Sequence, residues 1–359
     1  MNFTLHLTAD CNLSCRYCYE THAKRRMTEE TAIKAVGLAF AYGHEKNGFS
    51  LFGGEPMLER GLVETVCRYA TEKARETGTD VRFKMTTNGT LLDEPFLAFA
   101  NEHNLEIALS HDGLLQDVQR VTRDGRPTME RLEPIIDLLL NYQPKAVAMQ
   151  TVMPSTVDRM AESVEWLYRR GFSRINTAID YRLDAGWDDA SMAVLKTQYE
   201  RIADLSDTYF DSARPLLYLN FLSKIAAYLN DRPCLECKLG MRQPSVAPDG
   251  CIYPCNQFLD DPDYRMGDVN TGIDRAKQRA IYLASLDPEL TCEGCAIADR
   301  CRHHCACLNY SLTGSMHEVA PVQCEHERIL IPIADDLAAQ LYARKSERFL
   351  RYYGSDPEE

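Results

Sequence analysis

Through residues 2–181 the chain alternates short β-rich runs with longer amphipathic segments. NFTLHLT, GFSLFGGEP, DVRFKMTTNG, LEIALSHDG, KAVAMQTVMP and RINTAIDY are predicted strands. Between them lie TEETAIKAVGLAFAYGHE, GLVETVCRYATEKARE, DEPFLAFANEHN, TMERLEPIIDLLLNY and STVDRMAESVEWLYRRG. These carry apolar residues at three- and four-residue spacing, which predicts helices, with Thr28 and Ser155 as N-caps. Strand–helix alternation implies right-handed crossovers and parallel strands. Six such units are fewer than the eight of a closed barrel. The fold class is therefore α/β, a partial, open (β/α)6 barrel whose site lies at the C-terminal ends of the strands. The loops DCNLSCRYC, GGEP, TNG and SHDG all follow predicted strands directly. After Tyr181 the pattern is helical to about Asn230, then loop-rich and Cys-rich, and ILIPIADDLAAQLYARKSERFLRYY reads as a closing helix. The expected divisions are a barrel at 1–185, a helical bridge at 186–230, a Cys-rich domain at 231–330 and a C-terminal helix at 331–359.

Composition narrows the possibilities. A hydrophobic content of 45% and charged content of 26% are ordinary for a globular chain of 359 residues. A net charge of −13 argues against a nucleic-acid or anionic-membrane partner, because phosphate binding needs a basic face. MNFTLHLTAD lacks the basic start and apolar core of a signal peptide, and no run of about 18 apolar residues marks a membrane span. A cytoplasmic location is expected. There, 14 cysteines are not structural disulfides. Their clustering, three near the N-terminus and ten between Cys234 and Cys324, points to metal. Cys67 stands alone in an amphipathic segment and reads as a small buried apolar residue.

Cys11-Asn-Leu-Ser-Cys15-Arg-Tyr-Cys18 places three thiols on the loop after the first strand. Thiolates bind the irons of a [4Fe–4S] cluster, and three leave one iron open to another ligand. A zinc loop with a distant fourth ligand is the alternative. In Gly53-Gly54-Glu55-Pro56, two glycines let a ligand approach the backbone and an acidic group can accept from an ammonium. Thr87-Asn88-Gly89 and Ser110-His111-Asp112-Gly113 follow the third and fourth strands; each is also an ordinary turn sequence. A second cysteine system runs Cys237, twelve residues, Gly250, four residues, Cys255, then Cys292-x2-Cys295-x5-Cys301-x3-Cys305, and finally Cys324. Alone it would also suit a pair of zinc ribbons.

Taken in order, these motifs resemble the radical S-adenosylmethionine (radical SAM) superfamily, and the second cysteine system resembles its C-terminal SPASM module. The resemblance covers nearly the whole chain. It implies three [4Fe–4S] clusters and SAM as cofactors. Cys11, Cys15 and Cys18 would hold the SAM cluster. Cys234, Cys237, Cys255 and Cys305 would hold Auxiliary I, and Cys292, Cys295, Cys301 and Cys324 Auxiliary II. By the same resemblance Gly53, Gly54 and Glu55 hold the SAM amino group, and Ser110 and Arg123 contact its ribose and carboxylate. Val152 or Met153 lines the adenine, near which Tyr17 stacks. Cys251 and Cys307 are left over; Cys307 is a weak candidate for donating hydrogen to a substrate radical. His303 and His304 read as basic neighbours of an anionic cluster, and His111 as a hydrogen-bonded loop residue.

The resemblance implies an oxidoreductase-type enzyme that modifies a peptide or protein with a 5′-deoxyadenosyl radical. Its electrons would come from a flavodoxin or ferredoxin. Crosslinking of a ribosomally made peptide, through a thioether, C–C or C–O bond, is the first expectation. Sulfatase maturation to formylglycine and peptide epimerisation are the alternatives. The formylglycine-forming enzymes carry an aspartate after the cysteine that matches Cys255, whereas here it is Asn256, which cannot take a proton. The Cys234-x2-Cys237 spacing is also shorter than theirs. A non-enzymatic metal scaffold would not explain Glu55 and Ser110. The first strand begins almost at Met1, so recognition by barrel and SPASM surfaces, or by a separate leader-binding carrier, is expected.

Overall fold

A computed structural model describes residues 1–229, 238–286, 292–301 and 305–353. They form two compact units, one of residues 1–110, 117–146 and 238–286, the other of 111–116, 147–229, 292–301 and 305–353. All six predicted strands are present. They are β1 (Asn2–Thr8), β2 (Lys46–Gly53), β3 (Asp80–Thr87), β4 (Leu105–Ser110), β5 (Val147–Val152) and β6 (Arg174–Ile179).

In the first unit β1 to β4 pair in parallel in chain order. Parallel neighbours require crossovers, supplied by α1 (Glu29–Ala41), α2 (Arg60–Thr77) and α3 (Glu94–Glu102), with α4 (Met129–Tyr142) following β4. Thr28 caps α1 as expected, its hydroxyl accepting from the Thr31 amide at 3.1 Å. One strand face is largely apolar and buried: Phe3, Leu5 and Leu7, Phe49 and Leu51, Phe83 and Met85, Leu105, Ile107 and Leu109. On the other face Ser50, Phe52, Thr86, Ala108 and Ser110 are only half-buried. That second face is where a site has room. The outer edge of β1 pairs in parallel with Ser245–Val246, which leads a short antiparallel meander through Cys251–Tyr253, Gly267–Asp268 and Gly272–Ile273. The Cys-rich sequence thus continues the sheet of its own unit.

His6 lies on the second face of β1, 2% exposed, with its ring 5.4 Å from that of Phe52. Burial pushes its pKa down to about 4, against a weaker upward pull from Asp260. The unfolded chain therefore binds a proton that the folded chain refuses, and stability is lost as pH falls from about 6.5 toward about 4. Against His6→Gln, the native chain is expected to lose up to about 3 kcal/mol more between pH 7 and pH 4. Urea unfolding of both proteins across that range checks this; parallel pH profiles would refute it.

In the second unit β5 pairs in parallel with β6, and β6 with Leu217–Tyr218. The segment expected to start a helix at Ser155 opens instead as a 3-10 turn, Pro154–Arg159, and α5 is Met160–Arg170. The proline at the first position of that turn sets its dihedrals, and Met153 is its cap. Then come α6 (Asp189–Tyr209), α7 (Leu219–Leu229), α8 (Ala306–Thr313), α9 (Pro321–Ala343) and α10 (Glu347–Tyr353). The closing helix begins earlier than its sequence pattern indicates, at Pro321, and breaks before α10 where Lys345 takes φ 54°. The long α9 packs on α6 and α7. His326 of α9 sits buried between Tyr181, just past β6, and Tyr199 of α6, whose hydroxyl is 2.7 Å from Nε2. No described helix is long and apolar enough to cross a membrane.

Candidate functional site

At the C-terminal ends of β1, β2 and β3 the three sequence motifs are tied together. The cluster loop is held first by its backbone. Leu13–Cys15 pairs antiparallel with Arg120–Thr122, placing Cys15 opposite Arg120, and the Arg16 amide donates to Gln119 O at 3.0 Å. The end of β2 lies directly against the same loop. The amides of Gly54 and Glu55 donate to the carbonyls of Thr8 and Asp10 at 2.9 and 2.8 Å. A Cβ on Gly53 would lie 2.2 Å from the Thr8 oxygen, and one on Gly54 would lie 2.2 Å from the Asp10 oxygen. The glycines thus admit the chain's own backbone at least as much as a ligand.

Gly53 also sits at φ 129°, where a side chain is strained in any case. Gly53→Ala is expected to cost roughly 2 kcal/mol or more and to lower iron uptake at the loop. At Gly61 in α2 a methyl group would meet nothing within 4 Å, so Gly61→Ala is expected to be neutral or slightly stabilising. Thermal unfolding of the pair, with equal losses for both, would contradict this account.

Glu55 is the polar centre, 1% exposed. Its Oε1 accepts from the Thr87 hydroxyl at 2.6 Å and the Met57 amide at 3.0 Å, and its Oε2 accepts from the Asn88 amide at 2.7 Å. Burial pushes its pKa up, and these three bonds together with nearby Arg120 oppose the shift. A carboxylate offers about four acceptor positions, so the three bonds leave one on Oε2. Asn88 also reaches the cluster loop: its Nδ2 donates to Asn12 Oδ1 at 2.8 Å and lies 3.9 Å from Cys11 Sγ. The TNG motif is thereby the joint between the GGEP and cysteine motifs.

Cys11 is buried, and Cys15 and Cys18 are half-buried. The Leu13 amide points at Cys11 Sγ at 3.4 Å. Burial pushes the Cys11 thiol up to about 12; the Leu13 bond opposes this, while Glu55, Cys15 and Cys18 add to it. Three thiols that feel one another, one with an N–H donor already aimed at its sulfur, are a donor set that fits a [4Fe–4S] cluster with one open iron. In a cubane each thiolate binds a different iron, so the sulfurs need not converge on one point. Among the described residues no three His, Cys, Asp or Glu side chains do so.

Of the other expected contacts, Ser110 ends β4 on the half-buried face. Arg123 is half-exposed and ion-paired with Asp10. The Tyr17 ring lies beneath the Arg120 guanidinium at 5.1 Å. Strand alternation puts the Val152 side chain on the buried face with Ala148 and Gln150, whereas Thr151 and Met153 are less buried. His111 stacks on Trp166 at 5.3 Å, and its Nδ1 accepts from the Gly113 amide at 3.0 Å. Two residues are not singled out by the sequence. Arg120 is 7% exposed beside Tyr17 and Glu55, and His22 has Nε2 3.5 Å from Cys18 Sγ. Their only sequence signal is nearness: His22 is four residues past Cys18, and Arg120 three before Arg123.

Of the Auxiliary I set, Cys234 and Cys237 lie outside the described residues, as do His303 and His304. Cys255 precedes a 3-10 turn in the first unit, and Cys305 caps α8 in the second. The leftover Cys307 is buried with its sulfur 3.5 Å from that of Cys305. Cys251 is half-buried on its strand, and burial pushes it up to about 11. Cys67 is fully buried in α2, as expected. For Auxiliary II, Cys324 on α9 feels Cys292 and Cys295 and is pushed up chiefly by burial, while Cys301 is 6% exposed. Cys324 opens onto a cavity of about 630 Å³ and Cys295 onto one of about 440 Å³, with Arg328 lining both.

Residues 5–167, a little under half of the chain, match the radical SAM superfamily. Among curated relatives, an uncharacterised protein of Methanocaldococcus jannaschii is 26% identical over 48% of this chain and 60% of its own length. A serine-type anaerobic sulfatase-maturating enzyme of Klebsiella aerogenes is 31% identical over 37% of this chain and 35% of its own. The chain thus spans less than two thirds of both. A cysteine-type anaerobic sulfatase-maturating enzyme of Clostridium novyi is 21% identical over 83% of this chain and 85% of its own. Two solved structures share the fold. AnSMEcpe with bound AdoMet and Cp18Cys peptide has a TM-score of 0.78 at 17% identity, over 98% of each chain. Streptococcus suis SuiB bound to precursor peptide SuiA has a TM-score of 0.64 at 14% identity, over 90% of this chain and 75% of that one.

Proposed function

We propose that this enzyme is a SPASM-type maturase that oxidatively crosslinks a ribosomally made peptide. When bound, the first cluster and SAM supply a 5′-deoxyadenosyl radical that takes hydrogen from the substrate. The chain's part is positioning. Cys11, Cys15 and Cys18 hold the first cluster. The remaining acceptor position of Glu55 receives the SAM ammonium, and Ser110 and Arg123 engage its ribose and carboxylate. The two auxiliary cysteine sets would hold clusters able to accept the electron that leaves the substrate as the new bond forms and a proton departs. One electron enters from a flavodoxin or ferredoxin and one leaves, so the substrate loses two hydrogens overall. The described cysteines form no disulfide with one another, which suits a reducing cytoplasm.

Asn256 carries the choice of crosslinking. Its Nδ2 donates to the Tyr19 hydroxyl at 3.1 Å, and its Oδ1 lies 3.0 Å from Cys255 Sγ. Both ends of the amide are engaged, and neither accepts a proton. The second reading, formylglycine formation, is supported by the sulfatase-maturating relative aligned over 83% of the chain. Anaerobic reaction with SAM and reductant separates them, using either a co-encoded short peptide or a sulfatase-derived Cys or Ser peptide. Loss of two hydrogens without aldehyde supports crosslinking. A hydrazide-reactive aldehyde on the sulfatase peptide overturns it, and a retained mass with an inverted centre indicates an epimerase.

A further inference from the structure

The second unit buries an ion pair between two of its helices. Lys224 of α7 and Glu327 of α9 are 1% and 2% exposed, with Nζ 2.5 Å from Oε2. The same ammonium donates to the carbonyl of Arg300 at 3.1 Å. Arg300 reciprocates: its Nη2 donates to Lys224 O at 3.4 Å, its Nη1 donates to Asp335 of α9 at 2.7 Å, and its guanidinium lies 4.7 Å over Tyr228 of α7. Two helices thus hold the short turn Ala298–Arg300 from two sides.

Taking two charges out of water is costly, and their attraction repays that cost only where the geometry and further hydrogen bonds are good. Apolar pairs of similar volume often serve a fold as well or better. The pair lies beside two cysteine-bearing segments. Cys301 directly follows Arg300, and Cys324 lies one turn before Glu327 on the same side of α9. Cys292, Cys295 and Cys301 lie within ten residues of one another and share a local loop, whereas Cys324 arrives on a separate helix. Lys224 touches both the loop and that helix through a single nitrogen.

We propose that Lys224 is a positioning residue for the second auxiliary cluster, fixing the Cys301 segment against the Cys324 helix so that four thiolates meet its corners. This rests on the assignment of Cys301 and Cys324 as ligands of one cluster. The expected consequence is specific: removing both charges leaves the polypeptide stable but disturbs that cluster alone.

The test uses the full chain, compared before and after anaerobic reconstitution. The double variant Lys224→Met/Glu327→Leu is expected to unfold within a few degrees of wild type before iron loading. After loading it should hold about eight irons instead of about twelve, the loss of one cubane from three, or show an altered electron paramagnetic resonance signal and midpoint potential for one auxiliary cluster. Lys224→Arg, which keeps the cation, is expected to restore the wild-type signal. Should the double variant fail to fold, Glu327→Gln decides, since it removes one charge at nearly constant shape and is expected to alter the same signal. Full iron with an unchanged spectrum and potential in whichever variant folds overturns the proposal. Cys301→Ala and Cys324→Ala separate the two layers. If each loses about four irons while the charge variants lose none, the positioning role fails alone; if neither loses iron, the ligand assignment fails first.

Discussion

Replacing Cys15 by alanine is expected to abolish 5′-deoxyadenosine release, by a thousandfold or more on the order expected for loss of a reaction's cofactor site. Three thiolates are the fewest that hold a cubane while leaving one iron open, so two leave it labile. Cys15 is the stringent choice because its place is set by the ribbon with Arg120–Thr122, and alanine keeps that backbone pairing intact. Cys18 is a weaker test, since the His22 imidazole lies 3.5 Å from its sulfur and is itself a competent metal ligand. Iron should fall by about four per chain while the auxiliary signals persist. Chromatography after addition of SAM and dithionite measures the nucleoside. Release within tenfold of wild type would remove the first cluster from the reaction.

The second large effect is expected at Glu55. Every neighbour bonded to its carboxylate is a donor: the Thr87 hydroxyl and the amides of Met57 and Asn88. Glutamine must turn its NH2 toward at least one of these backbone amides, so Glu55→Gln loses a charge and sets donor against donor. A charge-assisted hydrogen bond is worth roughly 2–3 kcal/mol, which predicts on the order of a hundredfold weaker use of SAM, read as a raised KM with iron content unchanged. The pH dependence follows from the raised pKa of Glu55, whose first cause is burial. Without SAM, the folded chain favours the protonated acid, so this group's contribution to stability is lost as pH rises through its folded pKa. Binding an ammonium needs the ionised form. SAM affinity should therefore decline on acidification, beginning at a higher pH than for an exposed glutamate, and Glu55→Gln should flatten that decline. Isothermal titration with SAM across the acid range decides; a wild-type affinity in the variant would exclude Glu55 from recognition.

Much of this was legible in the sequence because strand and loop chemistry are local. Apolar runs marked all six strands, and the motifs sat on their ends. What sequence did not reveal depends on tertiary neighbours. Arg120 reads as one of several charges after a turn until the antiparallel ribbon sets it opposite Cys15. Lys224 reads as an ordinary polar position in an amphipathic helix, and its partner lies 103 residues away. Gly53 and Gly54 read as points where a ligand approaches the backbone, whereas in the fold the Thr8 and Asp10 carbonyls of the first motif approach them. The onset of α9 is obscured because the helix begins at a proline and a cysteine among polar residues rather than in an apolar repeat. Strand parity, in contrast, could have separated Val152 from Met153 from the sequence alone.

The ribbon that pairs Leu13–Cys15 with Arg120–Thr122 bears on the order of assembly. The cluster loop takes its shape from backbone bonds to a segment more than a hundred residues later and from the Asn88–Asn12 bond. Its conformational entropy is therefore surrendered when the polypeptide folds, and little is left to lose when iron arrives. Small zinc domains run the other way, with the metal supplying the free energy that orders the chain. With Cys11, Cys15 and Cys18 as ligands, as proposed, the peptide would be the template and the inorganic core the late guest, and a cluster lost to oxygen would leave behind a mould into which another could be built.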